Sequence, residues 1–102
     1  MKQSEYQKDL IVALKDPSEA AAYLNAALED GDKETFLLAL RNLAEANGGM
    51  KAVAEKAHLN RESLYRTLSR RGNPEISTLL NLLHGMGLRL TVEPDMQAPA
   101  VA

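Results

Sequence analysis

Apolar residues recur every three or four positions over most of the chain, which is the spacing of amphipathic helices. This pattern predicts five helices, at about 16–30, 32–46, 50–57, 61–69 and 74–84. Three of these segments follow a short polar residue that can cap a helix start, namely Asp16, Asp32 or Asn60. Gly31 can take the left-handed conformation that ends a helix. The sequence therefore predicts an all-α bundle of about five helices.

One segment departs from the helical spacing. Apolar and polar residues alternate over Leu88–Glu93, which is typical of a short β-strand with Leu88, Leu90 and Val92 on one face. Because a lone strand cannot satisfy its own backbone hydrogen bonds, it needs a partner. Two partners remain open, the same strand of a second copy or the N-terminal stretch Leu10–Val12. In the first case these three apolar residues form a homodimer interface.

The chain is short enough to be a single domain, since it has 102 residues. We expect an N-terminal extension over residues 1–15 and a helical domain with the C-terminal strand over residues 16–93. Pro94 ends the strand pattern, and residues 94–102 are expected to be a disordered tail.

The composition excludes several classes of protein. There is no cysteine, and the two histidines, His58 and His84, lack ligand spacing, so we expect neither a disulfide nor a metal or other cofactor. No nucleophile with a partner base and no phosphate loop is visible, which argues against an enzyme. No apolar run reaches the ~18 residues of a membrane span, and the first residues do not resemble a signal peptide. We expect a cytoplasmic protein with no membrane partner.

Charge is unevenly distributed along the chain. The net charge is -2, but residues 1–35 carry four lysines against eight acidic residues. Residues 51–72 instead carry six basic residues against two acidic ones. A basic patch on an acidic protein is compatible with DNA binding, because phosphates respond to charge within a Debye length of ~10 Å. A solvated charged surface explains the same pattern, so charge alone does not decide.

The most informative stretch runs from Met50 to Leu68 and predicts two short helices joined by a tight turn. Ala54 is small enough for the second helix to cross the first closely, and His58 belongs to the residue types that tolerate a positive φ in the turn. Leu64 and Leu68 mark the buried side of the second helix. This arrangement is typical of a helix-turn-helix, whose second helix enters the DNA major groove.

The outward residues of the second helix are the candidates for reading DNA. Residues at the start of a recognition helix approach base edges, and an arginine can pair with guanine. The predicted base-reading residues are Arg61, Glu62, Ser63 and Tyr65, although Glu62 is expected chiefly to hold Arg61 in place. The predicted phosphate-contacting residues are Lys51, Arg66, Arg70, Arg71 and Asn73, of which Asn73 has the alternative role of capping the next helix.

The sequence resembles the addiction-module antidote proteins, the HigA-like antitoxins of the Xre-type, lambda-repressor-like helix-turn-helix group. The resemblance covers about residues 9–93 and rests on several short motifs. These are Leu14–Pro17, Ala22–Asp32, Asn60–Tyr65, Gly72–Pro74, Thr78–Leu80 and Gly87–Val92. His58 stands in place of the usual turn glycine, Thr67 stands where an apolar residue is common, and Gly49 lengthens the preceding loop.

This resemblance implies a homodimeric, DNA-binding antitoxin that represses its own operon and neutralises a small basic RelE/HigB-like ribonuclease toxin. Two alternatives remain open. A solitary, prophage-type regulator would bind DNA without a toxin partner, and the neighbouring reading frame would distinguish it. A pure protein-interaction module would bind a basic partner through its acidic N-terminal part and would not bind DNA even at low salt.

Overall fold

A computed structural model describes residues 5–96, and within them six α-helices pack into a bundle. The helices are α1 (Glu5–Ala13), α2 (Pro17–Asp30), α3 (Lys33–Ala46), α4 (Met50–Ala57), α5 (Arg61–Thr67) and α6 (Ile76–Gly85). The predicted all-α bundle is confirmed, with one helix more than the apolar spacing indicated. The last part of the predicted tail, residues 97–102, and residues 1–4 lie outside the described residues.

Helices α2 and α3 form a hairpin whose ends are defined by short polar residues and a glycine. The Asp16 carboxylate accepts a hydrogen bond from the Ser18 N–H at 2.9 Å, and the Asp32 carboxylate accepts one from the Thr35 N–H at 3.1 Å. These bonds satisfy amide groups that a helix start leaves unpaired. Gly31 between them is left-handed, with φ 77°. The predicted caps and the predicted glycine stop are therefore confirmed.

The hydrophobic core runs through α3 at the centre of the molecule. Leu37, Leu40 and Leu43 on this helix are completely buried. Both α1 and α2 pack on α3, whereas α5 and α6 pack on α4, and α3 and α4 contact each other. The helices therefore group into two units, α1–α3 and α4–α6, and the contact between α3 and α4 joins the two units.

A short polar chain ties the first unit together. Asn42 on α3 is buried, and its side-chain amide donates to the Tyr23 hydroxyl on α2 at 2.8 Å. The Asn42 side-chain oxygen Oδ1 accepts a hydrogen bond from the side-chain amide of Gln7 on α1 at 3.2 Å. A buried amide is stable only when its polar atoms are paired, so this chain fixes the positions of α1 and α2 on α3.

Three details of the sequence-based prediction need correction. Leu10–Val12 lie inside helix α1, so this stretch cannot pair as a strand with the C-terminal segment. Within residues 5–96 no strand is formed, and the alternating segment Leu88–Glu93 has no ladder partner. Helix α6 begins at Ile76, two residues after the predicted start at Pro74, because Glu75 still has extended backbone angles.

None of the helices among residues 5–96 combines the length and the apolarity required to cross a lipid bilayer.

Candidate nucleic-acid interface

The turn between α4 and α5 has a defined backbone geometry. His58 has φ 58° and ψ 44°, which is left-handed and confirms the predicted positive φ at this position. The His58 N–H donates to the Glu55 carbonyl oxygen and the Leu59 N–H donates to the Ala54 carbonyl oxygen at 2.8 Å. These two bonds form a Schellman motif, which satisfies the last carbonyl groups of α4 and turns the chain sharply.

Helix α5 starts directly after this turn with a side-chain cap. The Asn60 side-chain oxygen accepts a hydrogen bond from the Ser63 N–H at 2.9 Å, so the predicted cap is confirmed. Leu64 and Leu68 are buried in the core, as their spacing predicts. Ala54 on α4 is also buried. The inner side of α5 is therefore anchored.

The outer side of α5 carries the predicted base-reading residues. Arg61, Glu62 and Tyr65 are exposed, with Tyr65 at 52%, and Ser63 is half-buried. The Arg61 guanidinium lies over the Tyr65 ring, 6.0 Å from its centroid. Such a cation–π contact is worth ~0.5–1 kcal/mol at an exposed site. Arg61 is therefore held by Tyr65, and within residues 5–96 it forms no ion pair with Glu62, contrary to the prediction.

The predicted phosphate-contacting residues are all exposed. They lie on α4 (Lys51), on α5 (Arg66) and in the segment between α5 and α6 (Arg70, Arg71 and Asn73). Their environments differ, since Arg66 donates to the Ser63 hydroxyl at 3.3 Å and Arg70 forms an ion pair with Glu34 on α3 at 3.2 Å. Asn73 does not cap α6, whose N-cap residue is Glu75 without a side-chain bond. The alternative role predicted for Asn73 is therefore wrong.

One further side chain supports α5 and was not predicted from the sequence pattern. The half-buried guanidinium of Arg41 on α3 donates a hydrogen bond to the Leu68 carbonyl oxygen. Leu68 is the C-cap residue of α5, where carbonyl groups lack partners within the helix and a cation is favourable. Arg41 and Leu68 are 27 residues apart, so only the tertiary structure brings them together.

The chain leaves α5 through a closely packed turn at Gly72. This glycine is buried, and its N–H donates to the Ser69 carbonyl oxygen at 2.8 Å. A Cβ atom built on Gly72 would lie 1.8 Å from the carbonyl oxygen of Thr67. Only glycine fits this position without movement of the backbone.

The three predicted dimerisation residues differ in exposure. Leu88 is half-buried and packs against the core, whereas Leu90 is 41% and Val92 95% exposed. Their segment borders a groove of about 360 Å³ whose other wall is α2. The apolar side chains of Leu24 and Leu28 contribute to that wall. A groove of mixed polar and apolar lining thus lies beside the segment that carries the predicted dimer interface.

Comparison with known proteins supplies the family. A protein-family model described as "Probable addiction module antidote protein" matches residues 5–94, which is nearly the whole chain. An uncharacterized protein of Haemophilus influenzae is 35% identical over 92 residues, covering 88% of this chain and 94% of that protein. The chain belongs to the addiction-module antidote family. No solved structure matches the chain with significance.

Family membership defines the general role of this antidote protein. An antidote implies a toxin partner, so at least one surface of the chain must serve recognition of another protein. The match extends from α1 to Pro94 and therefore includes the α4–α5 turn, the outer side of α5 and the segment after α6.

Proposed function

We propose that this antidote protein is also a sequence-specific DNA-binding protein, in which α4 and α5 act as a helix-turn-helix. One observation carries the proposal. Helix α5 is capped by Asn60 at its start and held by Arg41 at its end, while its outer side remains exposed. A helix fixed at both ends that presents long donor side chains outward has the geometry needed to enter a major groove.

In this proposal the outward residues divide into two groups. Arg61, Glu62, Ser63 and Tyr65 meet base edges, since they lie on the first turns of α5. Lys51, Arg66, Arg71 and Asn73 contact phosphates and position the protein without reading sequence. Arg70 joins them when a phosphate replaces Glu34, which requires little energy because the Arg70–Glu34 ion pair is solvent-exposed.

The proposed assembly is a homodimer with a toxin partner. Two copies pair through Leu88–Glu93 as antiparallel strands, which satisfies the backbone of this segment and places two α5 helices about a two-fold axis. The dimer represses its own operon in the cytoplasm and neutralises a small basic RelE/HigB-like toxin. We propose a binding role and no catalytic one.

A gel-shift titration with DNA from the protein's own promoter tests the proposal. Arg61→Ala removes a base-reading guanidinium and is expected to reduce the preference for promoter over random DNA by ~1–3 kcal/mol. Arg66→Ala is expected to weaken binding to both DNAs equally and to reduce the salt slope by ~1.

Lys15→Ala is the matched control, because Lys15 is an exposed basic residue between α1 and α2, away from α5. This variant should bind both DNAs like the wild type. Failure of the wild-type protein to bind any promoter DNA at low salt would contradict DNA binding altogether. Equal behaviour of the Arg61 and Arg66 variants would contradict the assigned roles.

A further inference from the structure

The surface between α2 and α3 contains a second groove, separate from the one beside Leu88–Glu93. Its volume is about 260 Å³. Ala26, Ala27 and Ala39 line it, and because these side chains are small the two helices leave a depression between them. The larger apolar side chains of Tyr23 and Leu38 stand on either side. We call these five residues the hairpin groove.

Leu38 in this groove is a large apolar residue that does not belong to the buried core. Its neighbours Leu37 and Leu40 are completely buried, so the core side of α3 is already filled. Leu38 nevertheless exposes 48% of its surface. An exposed apolar side chain beside an apolar depression fits a surface that binds another protein.

Carboxylates surround the hairpin groove. Asp30 lines its end, and Glu19 lies one helical turn before Tyr23 on α2. On α3, Glu34 lies one turn before Leu38 and Glu45 two turns after it. Residues at these spacings share a helix face, and all four carboxylates are exposed. Two arginines also adjoin Leu38, since Arg41 donates to the Leu68 carbonyl oxygen and Arg70 forms an ion pair with Glu34. The four carboxylates outnumber these two cations.

We infer that the hairpin groove is the docking site of the toxin, which is a basic protein that inserts an apolar side chain between Tyr23 and Leu38. This inference rests on the proposed function, in which the toxin partner is basic. The apolar centre supplies affinity, and the acidic rim complements a basic partner and speeds its association. Negative charge makes this surface unsuited to DNA phosphates.

The hairpin groove is lined by different residues from the other two proposed interfaces. Helix α2 packs on α3, whereas α5 packs on α4, so the hairpin groove and the outer side of α5 belong to different units. The groove beside Leu88–Glu93 lies against another face of α2, lined by Ala21, Leu24 and Leu28. The proposed toxin and DNA interfaces approach each other at the Glu34–Arg70 ion pair, whereas the groove beside Leu88–Glu93 lies apart from that pair.

Binding of the purified product of the neighbouring reading frame, measured by calorimetry, tests this assignment. Leu38→Arg places a cation in the groove and is expected to weaken binding roughly tenfold or more. The matched control is Leu80→Arg on α6, where the leucine is 44% exposed, and it should bind like the wild type. Asp30→Lys, an exposed charge reversal, should weaken binding and reduce its dependence on salt.

Circular dichroism and promoter gel shifts on the same variants separate a local effect from a general one. Normal toxin affinity in both Leu38→Arg and Asp30→Lys overturns the inference, as does equal loss in Leu38→Arg and Leu80→Arg. A halved mass of Leu38→Arg overturns the inference too, because the groove would then bind a second copy. Weakened promoter binding by this variant also overturns it, because the groove would then contact DNA. Absence of toxin binding by the wild type instead contradicts the proposed toxin partner and removes the inference with it.

Discussion

Gly72 shows how a single residue can determine the position of the end of helix α5. It is buried directly after α5, and a Cβ atom there would overlap the Thr67 carbonyl oxygen. Because that oxygen belongs to the last residue of α5, any larger side chain at position 72 must displace the end of this helix.

Gly72→Ala is therefore expected to destabilise the protein by ~1–3 kcal/mol, since the backbone must shift to admit the methyl group. Urea denaturation followed by circular dichroism measures this loss. Asn73→Ala is the control, because Asn73 is exposed and its substitution should change stability by less than ~0.5 kcal/mol. Equal midpoints for the two variants would show that the turn adapts freely.

Individual residues also show which local contacts could be predicted from the sequence and which could not. Short-range effects were predictable: the cap at Asn60 and the positive φ at His58 depend only on residues two or three positions away. The contact between Arg61 and Tyr65 spans one helical turn, yet the prediction assigned Arg61 to Glu62. Adjacent residues on a helix do not face each other, whereas residues four apart do, so Tyr65 is better placed than Glu62 to contact Arg61.

At the level of elements, helices with strong caps and a filled apolar face were predictable, and the weakest helix was not. Helix α1 has no buried residue among those that the structure describes, so no filled apolar face marks it in the sequence. Leu10–Val12 include two β-branched residues, and this stretch was one of the two possible pairing partners of Leu88–Glu93. Packing on α3 and the Gln7–Asn42 hydrogen bond make this segment helical instead.

Helix α5 is stabilised at its C-terminal end by a residue from another element, and this leads to a prediction. Arg41→Met keeps the apolar stem but removes the donor to the Leu68 carbonyl oxygen. We expect a loss of ~1–3 kcal/mol in stability, because a part-buried carbonyl loses a charged partner. Promoter affinity should fall more than affinity for random DNA, since the helix is less well positioned.

Thermal unfolding and parallel gel shifts with promoter and random DNA measure the two effects. Arg41→Lys is the conservative control, because it keeps a cation and one donor near the end of α5. It should recover part of both losses. If Arg41→Met leaves the promoter preference of the protein unchanged, Arg41 contributes to stability alone.

On the scale of the whole molecule, the conformation of the segment Leu88–Glu93 depends on a pairing partner outside its own chain. Its alternating pattern predicts a strand, but a strand forms only when a partner supplies the matching hydrogen bonds. Since Leu10–Val12 are helical, the partner in our proposal is a second copy. Helix α5, which carries the candidate DNA-reading residues, was predictable from local spacing, whereas the proposed assembly depends on a partner outside the chain.

Leu90→Pro tests this assembly, because proline removes a backbone donor from the pairing strand. Light scattering should give a mass near that of the 11.1 kDa chain for the variant and twice that mass for the wild type. Promoter affinity should fall with the loss of the dimer. Leu90→Val keeps both the N–H and the apolar side chain, so it should remain dimeric. An unchanged mass for Leu90→Pro would contradict pairing through this segment.

The division of the bundle into the α1–α3 and α4–α6 units has a consequence for how the family can diverge. Arg61, Glu62 and Tyr65 lie on α5 in the second unit, whereas the polar chain from Gln7 to Tyr23 lies entirely within the first. In the proposed function, substitutions on the outer side of α5 would change the operator, and substitutions in the hairpin groove would change the recognition of the toxin. The two proposed specificities would then diverge through different residues of one 102-residue chain.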